Sequence, residues 1–295
     1  MILSFLLSQA FAVRPEVVVV VSDDLEPYEA PLPAFSDAVG VPIHVIRIHG
    51  RQVEADKEMA ELRVNSPKVV FALGAKAAFA VKNELPHTPL IYASVADPKR
   101  YGIEGTQVTG IKASVPPVSY LSRAQAFFPL VSSVGVIRSS SVSDDEVREL
   151  EQAGQDVGIK VTVRRVENPR KFRKAFNELA ETQDAIWIAP ERDILTPEGF
   201  RAATNEMQRR RKPLLVNTDN MVTAGGALGI TPNPDGVGRQ AAEKAKRILD
   251  GAAPSILPIS DPEDLATAIN LRTIEQGEIA YETLMLDLAS RVVEP

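Results

Sequence analysis

Short apolar runs rich in β-branched residues recur along the chain, and the stretches between them carry the periodicity of amphipathic helices. The first half shows Val17-Val18-Val19-Val20-Val21, Pro42-Ile43-His44-Val45-Ile46, Val69-Val70-Phe71-Ala72-Leu73 and Leu90-Ile91-Tyr92-Ala93. After a break the rhythm resumes with Val134-Gly135-Val136-Ile137, a run from Ile159 to Val163, Ala185-Ile186-Trp187-Ile188-Ala189 and Leu214-Leu215-Val216. Enough chain separates successive runs for a crossover helix. Three of those helices are legible. Val53 to Val64 is rich in good helix formers. Ser143 with Glu146 makes a capping box ahead of Asp144 to Val157, and Pro169 to Glu181 places Phe172, Ala175, Phe176 and Leu179 on one face.

Continuous apolar strands alternating with helices predict parallel sheets covered on both faces. Two sets of four strands, interrupted between Ala113 and Pro117, read as two doubly wound α/β domains of similar build. A single eight-stranded sheet is the alternative; Pro116-Pro117 at the midpoint, where a linker belongs, favours two. Later Gly225-Gly226 and the stretch from Gly251 to Pro258 punctuate the chain again and predict further passages between domains. The length of 295 residues, at about 150 residues per domain, agrees with two.

In open parallel sheets ligands bind beyond the carboxyl ends of the strands, where helix N-termini present free N–H groups. The loops at those positions are Ser22-Asp23-Asp24, Gly74-Ala75-Lys76 and Ser94-Val95 in the first half. In the second half they are Arg138-Ser139-Ser140, the Glu191-Arg192 turn and Asn217-Thr218-Asp219. Small and hydroxyl-bearing residues let a solute approach the backbone, and the ionic groups suit a small zwitterion. The same Ser, Asp and Asn residues also serve as helix caps. Tyr28, just beyond the first acidic loop, either closes over a ligand or packs. Tyr28 and Tyr92 are the aromatic residues nearest these loops, too few to predict an aromatic ligand.

Composition removes most catalytic chemistry. The chain has no cysteine, so disulfides, thiol nucleophiles and thiolate metal sites are excluded. Its three histidines, His44, His49 and His87, have no metal-ligand spacing, and neither a metal nor a cofactor is expected. Gly102, Gly105 and Gly110 do not have the dinucleotide spacing, and neither a phosphate-cradling P-loop nor a nucleophile elbow occurs. Asp144 and Asp145 fall in a helix's first turn, where the dipole favours acids, rather than forming a catalytic pair. A net charge of −6 argues against nucleic acid. Apolar residues from Ile2 to Leu7 and the small-x-small triplet Ala10-Phe11-Ala12 read as the remnant of an export signal over residues 1–12; a frayed cytoplasmic N-terminus is the alternative. Lacking a cysteine to acylate, the exported chain is expected free of a lipid anchor.

A set of short motifs, each weak alone, falls in an order that resembles a known family. They are Ala96-Asp97-Pro98, Val108-Thr109-Gly110-Ile111, Val134-Gly135-Val136-Ile137, Asp184-Ala185-Ile186, Gly225-Gly226-Ala227-Leu228, Gly238-Arg239-Gln240-Ala241-Ala242, Ile248-Leu249-Asp250-Gly251 and Ile269-Asn270. Together they resemble the substrate-binding proteins of ABC importers related to tryptophan- and tyrosine-binding members, over roughly residues 67 to 275. The resemblance implies a type I periplasmic-binding-protein architecture: two Rossmann-like lobes with flavodoxin-like strand order, joined by a three-crossover hinge and closing on a solute. It implies lobe 1 from 13–116 and 228–256, and lobe 2 from 117–227 and 257–295. Two departures stand out. Arg138-Ser139-Ser140 stands where members commonly have a Tyr-Asn-Pro turn, and the chain continues beyond Ile269-Asn270 through Tyr281 to Pro295, where a C-terminal helix is expected.

The combined reading is a non-enzymatic, monomeric, periplasmic receptor that captures an amino-acid-like solute and passes it to an ABC permease. A sensory receptor feeding a membrane kinase or chemoreceptor is the alternative. The expected ligand residues are Asp23, Asp24, Tyr28, Gly74, Ala75, Lys76, Ser94, Val95, Arg138, Ser139, Ser140, Arg192, Asn217 and Asp219. Asp23 and Asp24 are the candidate partners of an ammonium, Arg138 and Arg192 those of a carboxylate. The competing arrangement has these charges pairing with one another.

Overall fold

The structure, a computed structural model, describes residues 15–189, 191 and 193–294. The expected export signal and Arg192 lie outside the described residues. The chain divides into two compact units. The first takes residues up to Ala113 and returns for Pro234–Glu263; the second takes Ser114–Asn233 and the chain from Asp264 onward.

The first unit is built on five parallel strands: β1 (Val17–Val21), β2 (Ile43–Arg47), β3 (Val69–Leu73), β4 (Leu90–Ala93) and β5 (Val108–Gly110), in the order β2-β1-β3-β4-β5. Every residue of β1 and β3 has lost all solvent exposure, the state that an unbroken apolar run predicts for a strand covered on both sides. Alternation then sorts the side chains. Val18, Val20, Val70 and Ala72 face the helices Gln52–Val64 and Ala75–Glu84, through Met59, Leu62, Ala77 and Val81. Val17, Val19, Val21, Val69, Phe71 and Leu73 face Phe35 and Val39 of the helix Leu32–Val39, and Val237, Ala241, Ala245 and Ile248 of the helix Pro234–Leu249. The second of these covering helices therefore arrives from far along the chain.

The second unit holds β6 (Ser133–Ser139), β7 (Lys160–Val166), β8 (Ala185–Ile188), β9 (Leu214–Val216), β10 (Leu228–Pro232), β11 (Leu265–Asn270) and β12 (Arg291–Val293), in the order β12-β11-β10-β9-β8-β6-β7. All neighbours are parallel except β10 and β11. The stretch β7-β6-β8-β9-β10 repeats the strand order of the first sheet. The capping box forms as the sequence implies: Glu146 N donates to Ser143 Oγ at 3.2 Å and Ser143 N to Glu146 Oε2 at 3.0 Å. Trp187 stacks on Tyr120 with ring centroids 4.1 Å apart, and the Tyr120 hydroxyl donates to Val216 O at 2.7 Å. Burial pushes the Tyr120 phenol well above its usual range, against the smaller pull of that bond.

Three expectations need correction. The lobe boundaries shift, because β10 pairs with β9 and β11 and so places residues 228–232 in the second unit, while 257–263 stay with the first. The chain passes between units at 113/114, 233/234 and 263/264, so only the first of the three expected linkers is one. Gly225-Gly226 instead turns the chain within the second unit: a Cβ at Gly226 would stand 2.8 Å from Val216 Cγ2. Gly251 ends the helix Pro234–Leu249, where its N–H bonds Ile248 O at 3.0 Å. Finally, the predicted C-terminal helix is a short 3-10 segment, Thr283–Leu288, followed by β12 on the edge of the sheet.

Two contacts make testable demands. A Cβ at Gly238 would lie 2.3 Å from Pro31 O and 2.8 Å from Phe35 N, backbone atoms that cannot rotate away. Gly238→Ala is expected to destabilise by about 1–3 kcal/mol, and an unchanged denaturation midpoint would refute this close helix approach. Asp184 Oδ2 accepts the amides and hydroxyls of Ser132 and Ser133 at 2.8–3.0 Å, tying the start of β6 to β8. Burial works to raise its pKa; the four donors outweigh burial and hold it below the ordinary aspartate value. A lowered folded-state pKa means stability present above the unfolded value of about 3.9 and lost as pH falls through the folded one. Asp184→Asn should cost about 1–2 kcal/mol at neutral pH, with the gap to the parent narrowing in urea titrations as pH drops to about 3.

Candidate functional site

At the carboxyl ends of β1, β2 and β3 the first unit opens a cavity of about 510 Å³. Its polar lining comes from Ser22, Asp23, Arg51, Gln52 and Lys76, its apolar lining from Leu25, Tyr28, Ile48, Phe79 and Tyr101 among others. The floor is set by Ser22, which is fully buried. Its Oγ accepts the Ala77 amide at 2.9 Å and its own N–H reaches Leu73 O at 2.9 Å. One serine thus both ends β1 and caps the helix Ala75–Glu84.

Two glycines allow this approach. Gly74 has φ +93°, and a Cβ there would meet Ser22 Oγ at 2.6 Å and Tyr28 Cε1 at 2.9 Å. Gly50 has φ +68°, and a Cβ there would lie 2.7 Å from Asp23 Oδ2 and 3.2 Å from Lys76 Nζ. Both conformations are cheap for glycine and strained for any side chain. The bare Gly50 backbone lets an acid and a base converge on one wall, where Lys76 Nζ donates to Gly50 O at 3.0 Å. Among the described residues, the amides of Ala75 and Lys76 at the head of the helix make no backbone or side-chain hydrogen bond.

The expected ligand residues of this unit divide. Asp23, Tyr28, Ala75 and Lys76 line the cavity, and Gly74 lies beneath it. Asp24 is turned outward and pairs with His49, Oδ2 to Nδ1 2.7 Å. Ser94 takes the left-handed conformation at φ +58° and donates its hydroxyl to Pro27 O at 3.2 Å, holding the loop that carries Tyr28. Val95 is 2% exposed and belongs to the core, because it points back under the sheet's helices. Tyr92 is buried as well. The aromatic wall that sequence reasoning missed is Phe79 and Tyr101. Phe79 lies three residues after Lys76 and four after Ala75, so helical spacing puts all three on one face.

In the second unit the expected residues sit at the ends of β6 and β9, engaged with their own neighbours. Arg138 Nε donates to Glu191 Oε1, and the Ser139 amide donates to Glu191 Oε2 at 2.5 Å. The cation proposed for a solute carboxylate thus holds a carboxylate of the protein. Ser139 Oγ accepts from the Ser141 hydroxyl at 3.0 Å; Ser140 is exposed, and its amide bonds Val166 O at 2.9 Å. Asn217 Oδ1 takes the Trp187 indole N–H at 2.8 Å, and Asp219 lies 3.7 Å from Arg291. Among the described residues no group of three or more His, Asp or Glu side chains is placed to hold a metal ion, and no helix is long and apolar enough to cross a membrane.

The chain is 18% identical over 215 residues, 70% of its own length, to a tyrosine-binding protein of Clostridioides difficile (strain R20291). It spans 57–62% of the length of the curated relatives it matches. The ligand-free, open structure of a substrate binding protein with adhesive properties from Clostridium difficile superposes with a TM-score of 0.77 at 17% identity, covering 95% of this chain and all of that one. An ABC domain from Streptococcus pneumonia in complex with L-Trp gives a TM-score of 0.61 at 20% identity, with 95% and 100% coverage. These likenesses place the fold among the two-lobed type I periplasmic binding proteins. The ABC transporter substrate binding protein profile matches residues 44–293, nearly the whole chain, and the chain belongs to that family.

Proposed function

We propose that the protein captures an amino-acid-like solute outside the cytoplasm, at the cavity of the first unit, and delivers it to an ABC importer. One observation carries the reading: a single cavity joins Asp23, Lys76 and the free helix-head amides to an apolar wall of Leu25, Tyr28, Phe79 and Tyr101. A zwitterion fits that pattern. Its carboxylate meets the Ala75 and Lys76 amides and the Lys76 ammonium, where the helix dipole adds to the attraction. Its ammonium meets Asp23, and its side chain lies on the aromatic residues. The relatives that bind tyrosine and L-Trp support a solute with a ring. Arg138 takes no part in holding the carboxylate, because Glu191 already occupies its guanidinium and the neighbouring amide. Binding here is a capture step, and no residue is assigned to bond making or breaking.

The test is calorimetry of the protein, freed of co-purifying solute, against the natural amino acids, L-tyrosine and L-tryptophan first. A charge-assisted hydrogen bond is worth about 1.5–3 kcal/mol, so Asp23→Asn and Lys76→Met should each weaken binding roughly 10- to 100-fold. Phe79→Ala should weaken ring-bearing solutes more than alanine or serine. Arg138→Gln should leave affinity within about threefold. Heat of binding from no amino acid would sink the solute class, and full affinity in both charge variants would move the site elsewhere.

A further inference from the structure

The last residues of β7 and the first turns of the helix Pro169–Thr182 concentrate charge of one sign. Between Arg164 and Lys174 stand six cations, Arg164, Arg165, Arg170, Lys171, Arg173 and Lys174, and one acid, Glu167. This is a net +5 over eleven residues in a chain whose total is −6. All six side chains belong to exposed residues. Arg165 pairs with Asp144 at 2.6 Å, Lys171 with Glu167 at 2.5 Å and Lys174 with Glu178 at 3.9 Å. Among the described residues no carboxylate is within ion-pair distance of Arg164, Arg170 or Arg173.

Folding does not account for this placement. Cations near a helix N-terminus oppose the macrodipole, and acids near its C-terminus do the same. Here Arg170 and Lys171 sit in the first turn, while Glu178 and Glu181 fall toward the end, with no acid in the first turn and no base in the last. The neighbouring helix Asp144–Val157 does the opposite and opens on Asp144, Asp145 and Glu146. β7 is an edge strand, and the need to keep such an edge from pairing with other chains explains Arg164 and Arg165. That need does not reach Arg170 and Arg173 on the helix. The aromatic residues nearby, Phe172 and Phe176, are buried, which leaves nothing to stack on nucleic acid bases. What remains is an exposed cationic surface, three of its six cations without an ion-pair partner among the described residues. Spread over a strand end and two helix turns, it matches an extended sheet of anions better than a compact ligand.

We infer that this surface docks the protein on a bilayer rich in anionic phospholipid, holding it beside the membrane. Each cation near such a surface contributes about fivefold in partition, and salt screens the attraction.

The experiment is co-sedimentation of the full chain with vesicles of equimolar phosphatidylglycerol and phosphatidylcholine, with pure phosphatidylcholine as control. The parent is expected to bind the anionic vesicles only and to be released by salt. The triple variant Arg164→Gln, Arg170→Gln, Arg173→Gln should lose partition on the order of a hundredfold while keeping its thermal midpoint. Arg170→Glu should bind more weakly yet melt about 1–3 °C higher, because it brings the first turn into line with the dipole. A parent that ignores anionic vesicles at low salt, or a triple variant that binds as well as the parent, overturns the inference. Binding to polyglutamate with none to vesicles also overturns it, in favour of an acidic protein partner.

Discussion

The five valines of β1 expose no surface at all, and a strand sealed on both faces needs a layer of helix on each. Chain adjacent in sequence supplies one layer, the helices Gln52–Val64 and Ala75–Glu84. The other is only half supplied by the helix Leu32–Val39. The helix Pro234–Leu249 completes it, docking so closely at Gly238 that no side chain fits. This one demand dictates the chain path. The polypeptide leaves the first sheet at Ala113, builds the five parallel strands β6 to β10 of the second unit, and must return at Pro234 before leaving again after Glu263. The three passages are thus a consequence of burying one sheet twice over, and the antiparallel β11 marks where the chain re-enters the second sheet.

The same sheet order places the cavity. Strands that run parallel bring their carboxyl ends to one edge, and β1, β2 and β3 end together around Ser22, Gly50 and Gly74. The bare backbone at Gly50 lets both a carboxylate, Asp23, and an ammonium, Lys76, come up against the main chain. In the second unit the corresponding strand end is neutralised internally, since Glu191 answers both Arg138 and the Ser139 amide. The two sheets share a strand order, yet their edges offer different chemistry: one open and zwitterionic, the other closed on itself.

What the sequence made legible follows burial. β1, β3, β4, β8 and β9 are short, uniformly apolar and fully interior, so pattern and structure coincide. β5 and β12 have three residues each, and β11 mixes Thr and Asn with apolar positions; neither length nor alternation distinguishes them from loops. Asp23, Tyr28, Ala75 and Lys76 were accessible from the rule that loops after parallel strands bind ligands. Phe79 was not, because an aromatic residue in a helix reads as core. The available signal was its surroundings: the buried positions of that helix are Ala77, Ala78, Ala80 and Val81, all small, so the one large residue had no interior place to go. The domain boundaries were misplaced because Gly and Pro mark turns of every kind, and only strand pairing shows which turn crosses between units.

Trp187 is the chain's single tryptophan, and it lies in the second unit, stacked on Tyr120 and hydrogen-bonded to Asn217 at the carboxyl end of β9. The first unit, with the cavity, has no indole. Tryptophan emission, excited at wavelengths that tyrosine does not absorb, is therefore a private channel: it reports the packing of one sheet and is silent about the other. An emission melting curve follows the second unit alone, while peptide circular dichroism sums both. The offset between the two curves measures how far the halves of this molecule share one cooperative transition.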